Sequence, residues 1–128
     1  MLDLDRFKAI NDGFGHHAGD LVLRGGAAAI ARAVRATDGP GRLGGVEFVL
    51  LLPGDGVAAA AQVAERLRVL VADSVRHPGA PQCRVTFSAG VAAIGAEADA
   101  AALEAALSAA DRALYAAKAD GRDRIVIG

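Results

Sequence analysis

RLGGVEFVLLLP, residues 42–53, places a tight turn between two extended segments. Gly44 and Gly45 form that turn, since glycine accepts positive φ without steric cost. From Val46 to Leu52 there is a single charge, Glu47, followed by an apolar run that ends at Pro53. Such a run predicts a strand buried on both faces, in the middle of a sheet. A Gly-Gly turn at the strand's mouth would let a ligand approach bare backbone. An ordinary hairpin turn fits the same residues.

Upstream, Met1–Leu4 predicts the last part of a strand. Asp5 can cap a brief helix to Ile10, and Asp12-Gly13 supplies a turn. A long helix is expected over His17–Ala36, with Leu23, Ala27, Ile30 and Val34 on its inner face. Gly25 and Gly26 inside it cost about 1 kcal/mol each relative to alanine, which implies close packing. Thr37–Gly41 ends that helix. Downstream, Asp55 can cap a helix from Val57 to Ser74, and Arg76–Pro81 is a loop. Arg84–Ile94 is extended, with Val85 and Phe87 alternating against Thr86 and Ser88, and Gly90 marking a bulge or bend. A last helix covers Ala100–Ala119, with Leu103, Leu107, Ala110 and Leu114 as its inner stripe. Gly121 stops it, and Arg124–Ile127 is a final strand. This order predicts an α+β fold, one mostly antiparallel sheet with packed helices.

A chain of 128 residues suits one domain that buries roughly two thirds of its unfolded surface. Its formal net charge of −1 gives no general attraction to nucleic acid or to an anionic membrane. Any phosphate site must therefore be a local cluster. The lone Cys83 excludes an intrachain disulfide, fits a reducing cytoplasm, and reads as a small buried hydrophobe. No run is long and apolar enough for a membrane span, and no leader peptide is visible, so the expected location is cytoplasmic.

Asp3 and Asp5 lie two apart, so in a continuing strand they project to the same side. Paired acids there can hold Mg²⁺ and a nucleoside triphosphate; for an isolated pair of this kind a solvated strand end with an N-cap is the commoner reading. His16 and His17 have no cysteine nearby, which disfavours zinc and leaves His16 as a loop-fixing hydrogen-bond partner.

Three stretches carry a family resemblance: Leu2–Asp12 (LDLDRFKAIND) with Phe14–Asp20 (FGHHAGD), Gly44–Phe48 (GGVEF), and Ala110–Arg124 (ADRALYAAKADGRDR). In order and spacing they resemble the GGDEF domain of diguanylate cyclases. The resemblance implies the ferredoxin-like palm shared with class III nucleotide cyclases. It covers residues 1–128 as a single domain that lacks the family's N-terminal helix and part of the first strand. By the same resemblance Asp3 and the Leu4 carbonyl are metal ligands, with Mg²⁺ as cofactor. The amides of Arg6, Phe7 and Lys8, with the Lys8 side chain, would cradle phosphate. Asn11 and Asp20 would read guanine, and Lys118 and Arg122 would reach the triphosphate. Gly44, Gly45 and Glu47 remain of the catalytic motif.

One departure matters most. The third motif position, an acid in active members, is Val46, which has no oxygen to offer a metal. Glu47 is expected not to substitute, because neighbouring strand residues point to opposite faces. The chain therefore reads as a degenerate domain that binds guanine nucleotides without joining them. Arg35-Ala36-Thr37-Asp38 stands where the family carries its inhibitory RxxD site for cyclic di-GMP, with Arg66 as a second arginine. A surface charge pair is the plainer alternative. Active cyclase, joining two GTP across a homodimer, and a protein-interaction module are the competing functions. In each, a fused or partner signalling domain is implied by the family.

Overall fold

The computed structural model describes residues 1–128. Its order is β1 (Leu2–Leu4), α1 (Phe7–Phe14), α2 (His16–Ala33), β2 (Gly39–Gly44), β3 (Glu47–Leu51), α3 (Val57–Ser74), β4 (Phe87–Val91), α4 (Ala100–Ala119) and β5 (Ile125–Ile127). The strands form one sheet in the order β2-β3-β1-β4-β5, antiparallel except for the β4–β5 pair. No helix is long and apolar enough to cross a membrane.

Alternation along the strands divides the sheet into two faces. Leu2, Leu4, Phe48, Phe87 and Ala89 point into a core with Val22, Ala29 and Ile30 of α2 and Leu67 and Val71 of α3. Gly25 and Gly26 let α2 come close. A methyl on the first would lie 3.0 Å from Val75 Cγ1, and one on the second 3.5 Å from Leu4. The opposite face carries α4, whose buried Ala110, Ala113, Leu114 and Ala117 lie against β4. Gly90 marks no bulge. It sits in regular strand pairing because the α4 backbone leaves no room for a side chain.

The apolar run of β3 is not buried on both faces, nor is it central. The central strand is β1, and β3 lies between it and the edge strand β2. Phe48 is buried, but Leu51 is exposed. With Ile94 and Leu103, also exposed, it borders an open apolar groove of about 870 Å³. The doubly buried strand is β4, where Phe87, Ser88, Ala89 and Gly90 are all covered because helices lie on both sides.

Other expectations shift for similar reasons. α1 runs through Asp12-Gly13 to Phe14, so no turn falls there. The buried stripe of α2 is Ala18, Val22, Gly26, Ala29 and Ile30, and Ala27 faces solvent. Leu103 leaves the α4 stripe because nothing covers that turn of the helix. Cys83 is exposed, since the loop before β4 holds it outside the core.

Candidate functional site

The end of β1 and the start of α1 form one wall of a cavity of about 540 Å³. The chain turns there through Arg6 in the left-handed conformation (φ 56°). The first amides of α1 have no intrahelical partners, and Phe7 and Lys8, which carry two of them, line the opening. Asp3, Leu4, Arg6, Phe7, Lys8 and Asn11 line it from this wall, Val46 from the hairpin, and Lys118 and Arg122 from the end of α4. Asp5, Asp12 and His16 complete the lining, and no side-chain hydrogen bond ties His16. Asp20 stands exposed on α2 and is not part of the lining, nor are Gly44, Gly45 and Glu47. Gly44 and Gly45 do take positive φ, 142° and 51°, and the Gly45 carbonyl accepts from Arg42 Nε at 2.8 Å.

Asp5 is neither a helix cap nor a free carboxylate. It is buried, and its oxygens accept from Thr86 Oγ1 at 2.8 Å, Ser88 Oγ at 2.7 Å and the Asp123 amide at 3.1 Å. The last bond pins a turn in which Arg122 and Asp123 both have positive φ, 66° and 47°. Arg68 grips that turn from α3, donating to Asp123 at 2.7 Å and to both oxygens of Glu65. Glu65, then Asp123, raise the Arg68 guanidinium further above its ordinary range, and Arg68 holds Glu65 below the usual carboxylate range. Arg122 is thus placed by a network that sequence reasoning missed. The i,i+3 spacing of Glu65 and Arg68 is a sequence signal that could have pointed to it. Asp5→Ala would strand two hydroxyls and an amide, so unfolding in urea should show a loss of about 3 kcal/mol. An unchanged midpoint would refute this role for Asp5.

Lys118 Nζ lies 2.5 Å from Asp3 Oδ2. Glu47 is the direct cross-strand partner of Asp3, so its side chain leaves the same face. The cavity lining nonetheless includes Val46 and not Glu47, in line with the expectation that the two neighbours diverge. Val46 itself packs partly against the core. No group of three or more acidic, histidine or cysteine side chains could hold a metal. Asn11 Oδ1 is buried without a hydrogen-bond partner, over Gly19, where any side chain would collide with it.

At the end of α2, the Arg35 amide donates to Asp38 Oδ2 at 2.7 Å. The Arg35 guanidinium reaches Asp38 Oδ1 at 3.2 Å and Asp55 Oδ2 at 2.8 Å. Asp55 therefore serves Arg35 rather than capping α3, whose N-cap is Gly56. The Arg35 amide, more than the guanidinium, holds Asp38 below the usual carboxylate range. The stability this contributes is present at neutral pH and lost only on acidification through the lowered value. The Arg35 side chain is still 55% exposed. Arg66 is exposed on α3 and forms no ion pair.

The family described as "Diguanylate cyclase, GGDEF domain" matches residues 1–124. The response regulator PleD of Caulobacter vibrioides is 46% identical over 98% of this chain, which spans 28% of that protein's length. The GGDEF domain of DgcB from Caulobacter crescentus, solved with c-di-GMP, superposes with a TM-score of 0.87 at 32% identity. That match covers 98% of this chain and 74% of that one. The active GGEEF domain of a diguanylate cyclase from Vibrio cholerae gives 0.84 at 35% identity, over 98% and 78% of the two chains.

Proposed function

The chain belongs to the GGDEF family of diguanylate cyclases, and from that premise we propose that it is a degenerate member that receives cyclic di-GMP rather than making it. The observation that carries this reading is Arg35, half-exposed yet oriented by two carboxylates, Asp38 and Asp55. A planar fork held in place presents its remaining N–H groups to phosphate or to a guanine edge at little entropic cost. Arg66 is the second arginine of this site. Val46 supports the other half of the proposal, since it lines the cavity as hydrocarbon where the solved GGEEF relative has an acid.

The cavity keeps the means to hold GTP. Free amides at the start of α1 and the cations Lys8, Lys118 and Arg122 suit a triphosphate, and the unpaired Asn11 acceptor suits a guanine N–H. Asp20 would join the guanine contacts only from outside the lining. In the signalling role proposed, the domain acts in the cytoplasm beside a fused or partner domain, with a homodimer as its working form.

Calorimetric titration with cyclic di-GMP tests the main reading. Arg35→Ala should weaken binding about 100-fold, the loss of two charge-assisted hydrogen bonds. No binding by the parent chain would end it. A second reading, an active cyclase, is favoured by one observation: Glu47 leaves the sheet on the Asp3 side.

A further inference from the structure

The acids around the cavity do not fit a divalent cation. Asp3 is already ion-paired with Lys118 at 2.5 Å, Asp5 spends its oxygens on Thr86, Ser88 and the Asp123 amide, and Val46 brings only carbon. The exposed Asp12 is left as a single carboxylate, too few for a divalent site. A cation placed on Asp3 would meet the Lys118 ammonium at close range, and like charges repel. Glu47, on the same face, is outside the lining. Four cations, Arg6, Lys8, Lys118 and Arg122, line the cavity against the carboxylates of Asp3, Asp5 and Asp12, so the balance of charge offered by the protein itself is positive.

We propose that this cavity binds a nucleoside triphosphate in its metal-free form, with the Lys118 ammonium standing where a divalent cation would otherwise neutralise the phosphates. An ammonium has three N–H donors. Asp3 accepts one and so fixes the side chain, leaving two for phosphate oxygens. Asp3 then acts as a positioning residue for Lys118 and not as a metal ligand. The start of α1 meets the same polyanion with backbone amides, which need no metal either. This inference rests on the nucleotide-binding part of the function proposed above, and gives that binding an ion dependence opposite to that of a two-metal site.

The test titrates GTP into the 128-residue chain by calorimetry, first in excess EDTA and then in excess Mg²⁺. Binding in EDTA should be as tight as in Mg²⁺ or tighter, because Mg²⁺ screens the triphosphate from the cavity's own cations. Lys118→Met should lose about tenfold or more of the EDTA affinity, the value of a charge-assisted hydrogen bond and its ion pair. Inorganic triphosphate should compete in EDTA. Binding that appears only with Mg²⁺ would overturn the proposal, and so would a Lys118→Met variant that binds like the parent. Absence of GTP binding in both buffers overturns it too. Should cyclic di-GMP still bind in that case, the receptor reading through Arg35 stands alone.

Discussion

Gly90→Val should lower the thermal midpoint by about 10 °C or abolish cooperative unfolding. A Cβ at this position would collide with the carbonyl oxygen of Ala110 and the amide nitrogen of Leu114, and would lie 2.9 Å from Ala113 Cβ. Two of these atoms belong to the α4 backbone, which cannot rotate away as a side chain can. Either α4 lifts from the sheet or β4 moves, and β4 hydrogen-bonds both the central strand β1 and β5. Overpacking of this kind costs about 3 kcal/mol or more, a large share of the roughly 5–15 kcal/mol that holds a domain folded. The same displacement would carry Lys118 and Arg122 away from the cavity. Gly13→Ala is the control: a methyl there meets nothing within 4 Å and sits in a helix, so its midpoint should hold or rise slightly. Circular dichroism melts of both variants decide the matter, and a parent-like melt for Gly90→Val would refute the close contact between α4 and β4.

The second large effect concerns turnover. Chain incubated with GTP and Mg²⁺ or Mn²⁺ should yield no cyclic di-GMP by chromatography, at least about 10³-fold below a relative that keeps the motif acid. Removing one preorganised electrostatic group from an active site costs about 10²–10³ in rate. Here the loss is compounded, because Lys118 occupies the one carboxylate, Asp3, that would anchor a metal. Product at a rate near that of the intact relative would instead establish the second reading. Glu47→Gln would then be expected to abolish it, since Glu47 is the acid that shares a face with Asp3.

Much of this was legible in one dimension. The bounds of α3 and α4, Val57–Ser74 and Ala100–Ala119, follow from periodicity and from the residues that interrupt it. The Gly44-Gly45 turn follows from the backbone freedom that its two residues share. Asp99, by contrast, caps α4 through a 2.8 Å bond from the Ala102 amide, while Asp5 and Asp55 have the same chemistry and cap nothing. Each has a stronger distant partner, the strand hydroxyls and Arg35 respectively. Local propensity cannot weigh a competitor that lies 20 or more positions away, as Arg35 does from Asp55.

By itself the sequence determined where the two later helices and the tight turn lie and which residue types are available to meet a nucleotide, because these depend on short-range sterics and on side-chain chemistry. α1 runs past its expected end, and α2 stops at Ala33, three residues before the expected Ala36. Only the tertiary structure decided what each surface faces. It buried β4 on both sides and left β3 beside an open groove, since burial depends on which helix covers a strand and not on the strand's own hydrophobicity. It also paired Asp3 with Lys118 across 115 positions and set Glu47 beside Asp3, because register and helix placement are properties of the packed whole.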